Sequence, residues 1–318
     1  AMFKRVIIKT VGVSALCLMT LAGCSGDKPE VSEKGESDTA ITISAINSKT
    51  LYTRQGSGSI AYRVIGSGHP LILCNRFRGT LDDWDPKFLD ELAKSHTVVT
   101  FDYRGIGLSS LPDGTDTLME TQDVEDLTSM LGFNKFSLLG WSHGGKVAQI
   151  YAAKNASKVD HLVLLGTGPV GIAKFTPEKI FFDYALKPVN NFEDEIVLFF
   201  EPKYEESKIA ARLSHGRMKE RKSDTSKYVT PDKFPKYFQS VAKYNADKGA
   251  MDTLINGKMP ILAVSGEHDI VFPVEDWYAQ TKKNPNLQII MLPKAGHGPQ
   301  SQYPLQTARY INGFIAGE

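Results

Sequence analysis

The sequence predicts an α/β protein: a mostly parallel central sheet flanked by helices, with a helical cap inserted ahead of an acid-bearing late strand. Three observations carry that expectation. Strand-like and helix-like stretches alternate along the chain, as in a sheet covered on both faces. The apolar run 136–139 passes through Gly140-Trp141-Ser142-His143-Gly144 straight into the helix-like stretch 145–153. Two later apolar runs, 260–265 and 287–292, end in polar loops, the first carrying Asp269 and the second His297. At 318 residues and 42% hydrophobic, the chain is long enough for one such domain plus an insertion.

The N-terminus reads differently from the rest. Lys4, Arg5 and Lys9 precede a short apolar segment, 11–19, which closes on Leu21-Ala22-Gly23-Cys24. This is a signal-peptide pattern over residues 1–23, too short and wrongly flanked for a transmembrane span. Small residues before a single cysteine resemble the bacterial lipoprotein box. The resemblance implies an exported protein lipid-anchored to a membrane of the cell envelope through Cys24; a cleaved secretory signal without lipid is the alternative. Loss of residues 1–23 removes three cations and no acid, so the formal charge moves from +1 to −2. Residues 24–40 are polar and charged, as a flexible tether should be. Cys17 would leave with the leader, Cys24 would carry lipid, and Cys74 ends an apolar run, so no disulfide is expected.

Strand, Gly-x-Ser-x-Gly and helix together make a nucleophile elbow, a turn so tight that small residues must flank the serine. The pentapeptide alone arises by chance in roughly one chain in ten of this length, so it needs company. Asp269 and His297 supply it in the required order, each after a later strand. A serine hydroxyl is a useful nucleophile only when a neighbouring base takes its proton. Imidazole suits that task, and a carboxylate fixes its tautomer. Taken singly, Asp269 reads equally as a helix cap and His297 as a turn residue. Glu267 is the competing acid, but Asp269 sits where the turn should project inward.

These residues resemble the α/β-hydrolase superfamily, specifically its capped serine hydrolase and esterase branch, over roughly residue 51 to the C-terminus. Residues 59–70 look like that family's early hairpin, 71–74 like its third strand, and 97–109 like its fourth strand with the Asp102-Tyr103-Arg104-Gly105-Ile106-Gly107-Leu108-Ser109 turn. Most relatives carry His-Gly after the third strand, where this chain has Asn75-Arg76. The resemblance implies an oxyanion hole made by the backbone N–H groups of Phe77 and His143. Asn75, Arg76 and Trp141 are candidate pocket residues. Arg76 and Arg78 either face an acidic substrate or pair with Asp82, Asp83, Asp85 or Asp102; the second reading is preferred.

Residues 167–257 hold 13 of the 31 Phe, Tyr and Trp residues, more than their share by length, and read as helical, with 192–200 and 207–222 as candidate helices. An insertion at this point forms a cap in the superfamily, which implies a largely apolar, medium-sized pocket. The charges in 219–224 read as a solvated face or loop, not a binding site. The domain expectation is therefore a core of 41–166 and 258–318 with a cap of 167–257. No basic run suits nucleic acid, no histidine spacing suits a metal, and no phosphate fingerprint is present, so no cofactor is expected. The expected activity is hydrolysis of an ester, lactone or related acyl bond of a small, largely apolar substrate through Ser142, His297 and Asp269. Perhydrolase, haloperoxidase or C–C hydrolase chemistry on the same triad is the alternative, as is a non-catalytic ligand-binding protein on this fold.

Overall fold

The computed structural model describes residues 44–53, 58–171 and 174–318. The signal peptide, Cys17, Cys24 and the whole tether lie outside them. The elements run β1 (Leu51–Tyr52), β2 (Ala61–Ile65), β3 (His69–Cys74), α1 (Pro86–Leu92), β4 (His96–Phe101), α2 (Glu120–Met130), β5 (Phe136–Trp141), α3 (His143–Lys154) and β6 (Val159–Leu165). The insertion follows with α4 (Lys179–Ala185), α5 (Phe192–Phe199), α6 (Glu205–Met218), α7 (Phe234–Asn245) and α8 (Lys248–Asn256). The chain closes with β7 (Ile261–Gly266), α9 (Glu275–Thr281), β8 (Leu287–Leu292), α10 (Pro299–Gln302) and α11 (Pro304–Ala316).

The eight strands form one sheet in the order β1-β2-β4-β3-β5-β6-β7-β8. The pairs β1–β2 and β2–β4 are antiparallel; every pair from β4 through β8 is parallel. Residues 59–70 therefore do not form a hairpin between β2 and β3, because β4 lies between those strands. The antiparallel partner of β2 is β1, with Leu51 opposite Tyr62. Local sequence carried the reversal of direction at Gly66 and Gly68, but partner choice is settled by β4, which no local signal encodes.

Central strands bury both faces, so they read as continuous apolar runs and not as alternation. One face is closed by Val124, Leu127, Val147, Ile150, Tyr151 and Tyr237 from α2, α3 and α7. The other is closed by Trp84, Phe88, Leu92, Ala308 and Ile311, which bring α1 and α11 onto the sheet. From the adjacent strands β3 and β5 the chain departs in opposite directions, to β4 on one side and β6 on the other. That divergence opens a crevice at the carboxyl ends of the strands, the usual binding position in open α/β sheets. Register aligns those ends: Cys74 faces Gly140, Trp141 faces Leu165, and Gly266 faces Leu292.

Candidate active site

Ser142 occupies the turn between β5 and α3 with φ 57° and ψ −120°, a left-handed backbone that a non-glycine residue adopts only under constraint. The constraint is visible in its neighbours. A Cβ on Gly140 would stand 2.2 Å from the carbonyl oxygen of Gly144, and one on Gly144 would stand 2.1 Å from that of Cys74. The turn is further pinned by the Ser142 N–H donating to the Leu165 carbonyl at 2.9 Å and by Thr167 Oγ1 donating to the Ser142 carbonyl at 2.8 Å.

Register then brings the loops after β7 and β8 to the same place. His297 Nε2 lies 2.8 Å from Ser142 Oγ, and His297 Nδ1 lies 2.9 and 2.8 Å from the two Asp269 carboxylate oxygens. Asp269 Oδ1 also accepts the N–H groups of Val271 and Phe272 at 2.8 and 3.0 Å. Three donors around one buried carboxylate hold its plane and its charge against the imidazole. Glu267, the competing acid, turns outward and accepts the Lys294 N–H at 2.8 Å. The His297 loop is held from beneath by the Trp141 indole, which donates to the His297 carbonyl at 2.9 Å. From above, the Phe199 carbonyl accepts the Gly298 N–H at 2.7 Å. The rings of Phe199, Phe272 and Trp141 surround the imidazole at 6.2, 6.0 and 6.4 Å between centroids. Ser142, His297 and Asp269 are buried, at 5%, 2% and 3% exposure, so bulk water is kept from the contacts between them.

His143 is the first residue of α3, where a main-chain N–H has no intrahelical acceptor. The contact of Gly144 with the Cys74 and Asn75 carbonyls lays the start of α3 against the end of β3. The Tyr237 ring spans both, 5.1 Å from the Phe77 ring and 5.1 Å from the His143 ring. Phe77 and His143 are thus neighbours across the crevice, on the two strand ends where it opens.

The candidate pocket residues divide. Asn75 is fully enclosed: its amide donates to the Thr80 carbonyl at 2.7 Å and its Oδ1 accepts the Arg76 N–H at 2.8 Å. It closes the loop in place of lining a pocket. Trp141 is a buried wedge beneath His297 that reaches a void of about 30 Å³ with one edge. Arg76 pairs with Asp83 at 3.0 Å and lays its guanidinium 4.4 Å from the Phe199 ring. Arg78 pairs with none of the four aspartates. It donates to the Ala185 and Lys187 carbonyls at 2.7 Å each and to Pro188 at 3.2 Å, and meets the Tyr228 hydroxyl. The other aspartates serve elsewhere: Asp82 holds Arg63 at 2.7 Å, Asp85 holds Arg217 at 2.6 Å, and Asp102 accepts from Leu81, Leu108 and Ser226. The segment 219–224 is not simply a solvated face, because Arg221 donates to the Ala45 and Ser48 carbonyls.

One buried network was invisible to sequence reading. Glu120, wholly enclosed at the start of α2, bonds the His143 imidazole with one oxygen and accepts the Tyr244 hydroxyl with the other at 2.6 Å. A glutamate in a first helical turn ordinarily reads as a surface residue matched to the helix dipole, so no signal distinguished it.

A family model described as alpha/beta hydrolase fold matches residues 69–303. Among curated proteins, a soluble epoxide hydrolase of Corynebacterium sp. is 35% identical over 109 residues, which cover 34% of this chain and 38% of that protein. Lipase 3 of Moraxella sp. is 23% identical over 98% of this chain and 99% of its own. Among solved structures, an alpha/beta hydrolase fold protein from Chitinophaga pinensis is 25% identical, covers 86% of this chain and 100% of its own, and superposes with a TM-score of 0.75.

Proposed function

For a chain that belongs to the alpha/beta hydrolase fold family and is a hydrolase enzyme, we propose a serine hydrolase that cleaves the acyl bond of a small ester or lactone through an acyl-enzyme. The observation that carries this reading is the unbroken series of contacts from Ser142 Oγ through the imidazole of His297 to Asp269, each under 3 Å. In it, Ser142 Oγ attacks the substrate carbonyl while His297 Nε2 takes the hydroxyl proton. The imidazolium so formed is stabilised by Asp269 at Nδ1 and later returns the proton to the leaving oxygen. The tetrahedral oxyanion falls between the main-chain N–H groups of Phe77 and His143. Water then repeats the sequence on the acyl-enzyme, with His297 again as base. Coverage does not separate the relatives, since an epoxide hydrolase of Xenopus tropicalis matches 87% of this chain and Lipase 3 matches 98%; the serine nucleophile at the elbow, activated by a neighbouring base, is what favours acyl transfer.

The test is direct. A fluorophosphonate probe should label Ser142 in the folded protein, and Ser142→Ala should abolish both labelling and hydrolysis of p-nitrophenyl esters, by more than about 10³-fold, without lowering the unfolding temperature. Absence of labelling on folded wild-type protein would reject the enzyme reading.

The same proposal extends to the chain's organisation: a signal peptide over 1–23, a lipid on Cys24, a tether to residue 40, a core of 41–166 and 258–318, and a cap of 167–257. Its support is the charged, apolar and small-residue order before Cys24. Expressed from its natural leader in a bacterium, the wild-type protein should fractionate with membranes. Cys24→Ala should move it to the soluble fraction, and equal membrane fractions for both would refute the anchor.

A further inference from the structure

We propose that the cavity between the β3–α1 loop and helices α5 and α6 receives a carboxylate carried by the substrate, so that the natural substrate is an anionic ester and not a wholly apolar one. This rests on the serine-hydrolase reading and adds the substrate's charge to it. The cavity encloses about 450 Å³. Phe199 forms part of its wall and stacks on the catalytic imidazole at 6.2 Å, so the cavity ends one aromatic ring from His297. The void of about 30 Å³ that reaches Trp141 shares Arg76, Asp83, Glu195 and Phe199 with it, extending the space toward the elbow.

The charges in its wall do not balance. Arg76, Arg78, Lys219, Arg221 and Lys227 face three carboxylates, Asp82, Asp83 and Glu195. Each carboxylate is already committed: Asp82 to Arg63 at 2.7 Å, with Arg221 at 3.8 Å, Asp83 to Arg76 at 3.0 Å, and Glu195 to His215 at 2.9 Å. Among the described residues Arg78, Lys219 and Lys227 have no carboxylate within salt-bridge distance. Arg78 is the telling member, because it is buried at 7% exposure. Its partners are carbonyls, a hydroxyl and the Phe234 ring at 4.5 Å, which accept its protons or its field but cancel none of its net charge. Burial, and then the nearby Arg76, push its pKa down to about 10. A buried cation whose direct partners are all neutral is unfavourable, with Asp83 acting on it only from beyond salt-bridge distance, and an anion in the adjoining cavity offsets that cost.

The experiment compares two p-nitrophenyl esters of one shape, the free-acid mono-suberate and its methyl-capped counterpart. The wild type should favour the anionic ester at least tenfold in kcat/KM, the gain lying in KM. Free suberate should inhibit competitively. In the double variant Lys219→Met with Lys227→Met, and in Arg78→Met, the ratio between the two esters should fall toward one, whereas Arg78→Lys should keep part of it. Should Arg78→Met not fold, the lysine double variant decides alone, since both its side chains are exposed. Equal kcat/KM for the two esters, or inhibition by suberate that is not competitive, would overturn the anionic subsite. Fluorophosphonate labelling of Ser142 in the same samples separates that outcome from a failure of the hydrolase reading, which would take the subsite with it.

Discussion

In the proposed mechanism, the serine at the elbow and the histidine opposite it depend on a third group that fixes which imidazole nitrogen carries a proton. Asp269 approaches Nδ1 with both oxygens, so Nδ1 is the donor and Nε2 is left as the acceptor that faces Ser142 Oγ. The two main-chain N–H groups of Val271 and Phe272 keep that carboxylate turned toward the ring. Asp269→Asn preserves shape but presents an amide NH₂ or a neutral oxygen, which permits the wrong tautomer. It should lower kcat on a p-nitrophenyl ester by about 10⁴-fold with little change in KM. Steady-state kinetics on purified protein check it; a loss under tenfold would mean that the carboxylate does not act through His297.

At the scale of elements, the start of α3 is fixed by more than its glycines. Glu120 links three helices, receiving the imidazole of His143 on α3 and the hydroxyl of Tyr244 on α7 while standing at the first position of α2. Burial, and then the adjacent carboxylate, raise the Tyr244 pKa far above its ordinary value, so the hydroxyl remains a donor. Removing the acceptor strands two buried polar groups, which costs more than removing one donor. Glu120→Ala should therefore destabilise the fold by about 2–4 kcal/mol and Tyr244→Phe by about 1 kcal/mol. Urea unfolding curves compare them; equal effects would contradict the asymmetry. Arg78 is the corresponding link between the β3–α1 loop and the end of α4 with the segment after it, made through three carbonyls.

Across the whole molecule, one buried charge ties stability to pH. Lys146 on α3 is 1% exposed; its ammonium donates to the Pro169 carbonyl at 2.6 Å, and the Phe272 ring lies 5.3 Å away. Burial pushes its pKa from the usual 10.5 down to about 7, against a smaller opposing pull from Asp276. Between those values the unfolded chain binds the proton and the native chain does not, so this residue makes stability rise with pH. The slope reaches about 1.4 kcal/mol per pH unit for one proton. Below about pH 7 both states are protonated and the contribution is flat. Denaturation at pH 6, 7, 8 and 9 should show the wild type gaining on Lys146→Met only across the upper three values. Parallel curves throughout would show that Lys146 is charged in the native state.

The elbow, the order Ser142, Asp269, His297, and the apolar strands were legible in the sequence because each rests on local chemistry: steric demand at a turn, reach of a hydroxyl, burial of both faces of a strand. The parallel sheet followed from alternation of elements. What sequence could not decide depends on partners far apart in the chain. β2 pairs with β4 because the sheet's order places it there. Glu120 is buried because α7 folds over it, and Arg78 is a clamp because the end of α4 and the chain after it present three carbonyls to it. An identical glutamate or arginine on an open surface would leave the same trace in the sequence. Burial and charge balance are sums over every neighbour, so the residues that meet at the candidate site could be read from local pattern while the charge of their surroundings waited for the fold.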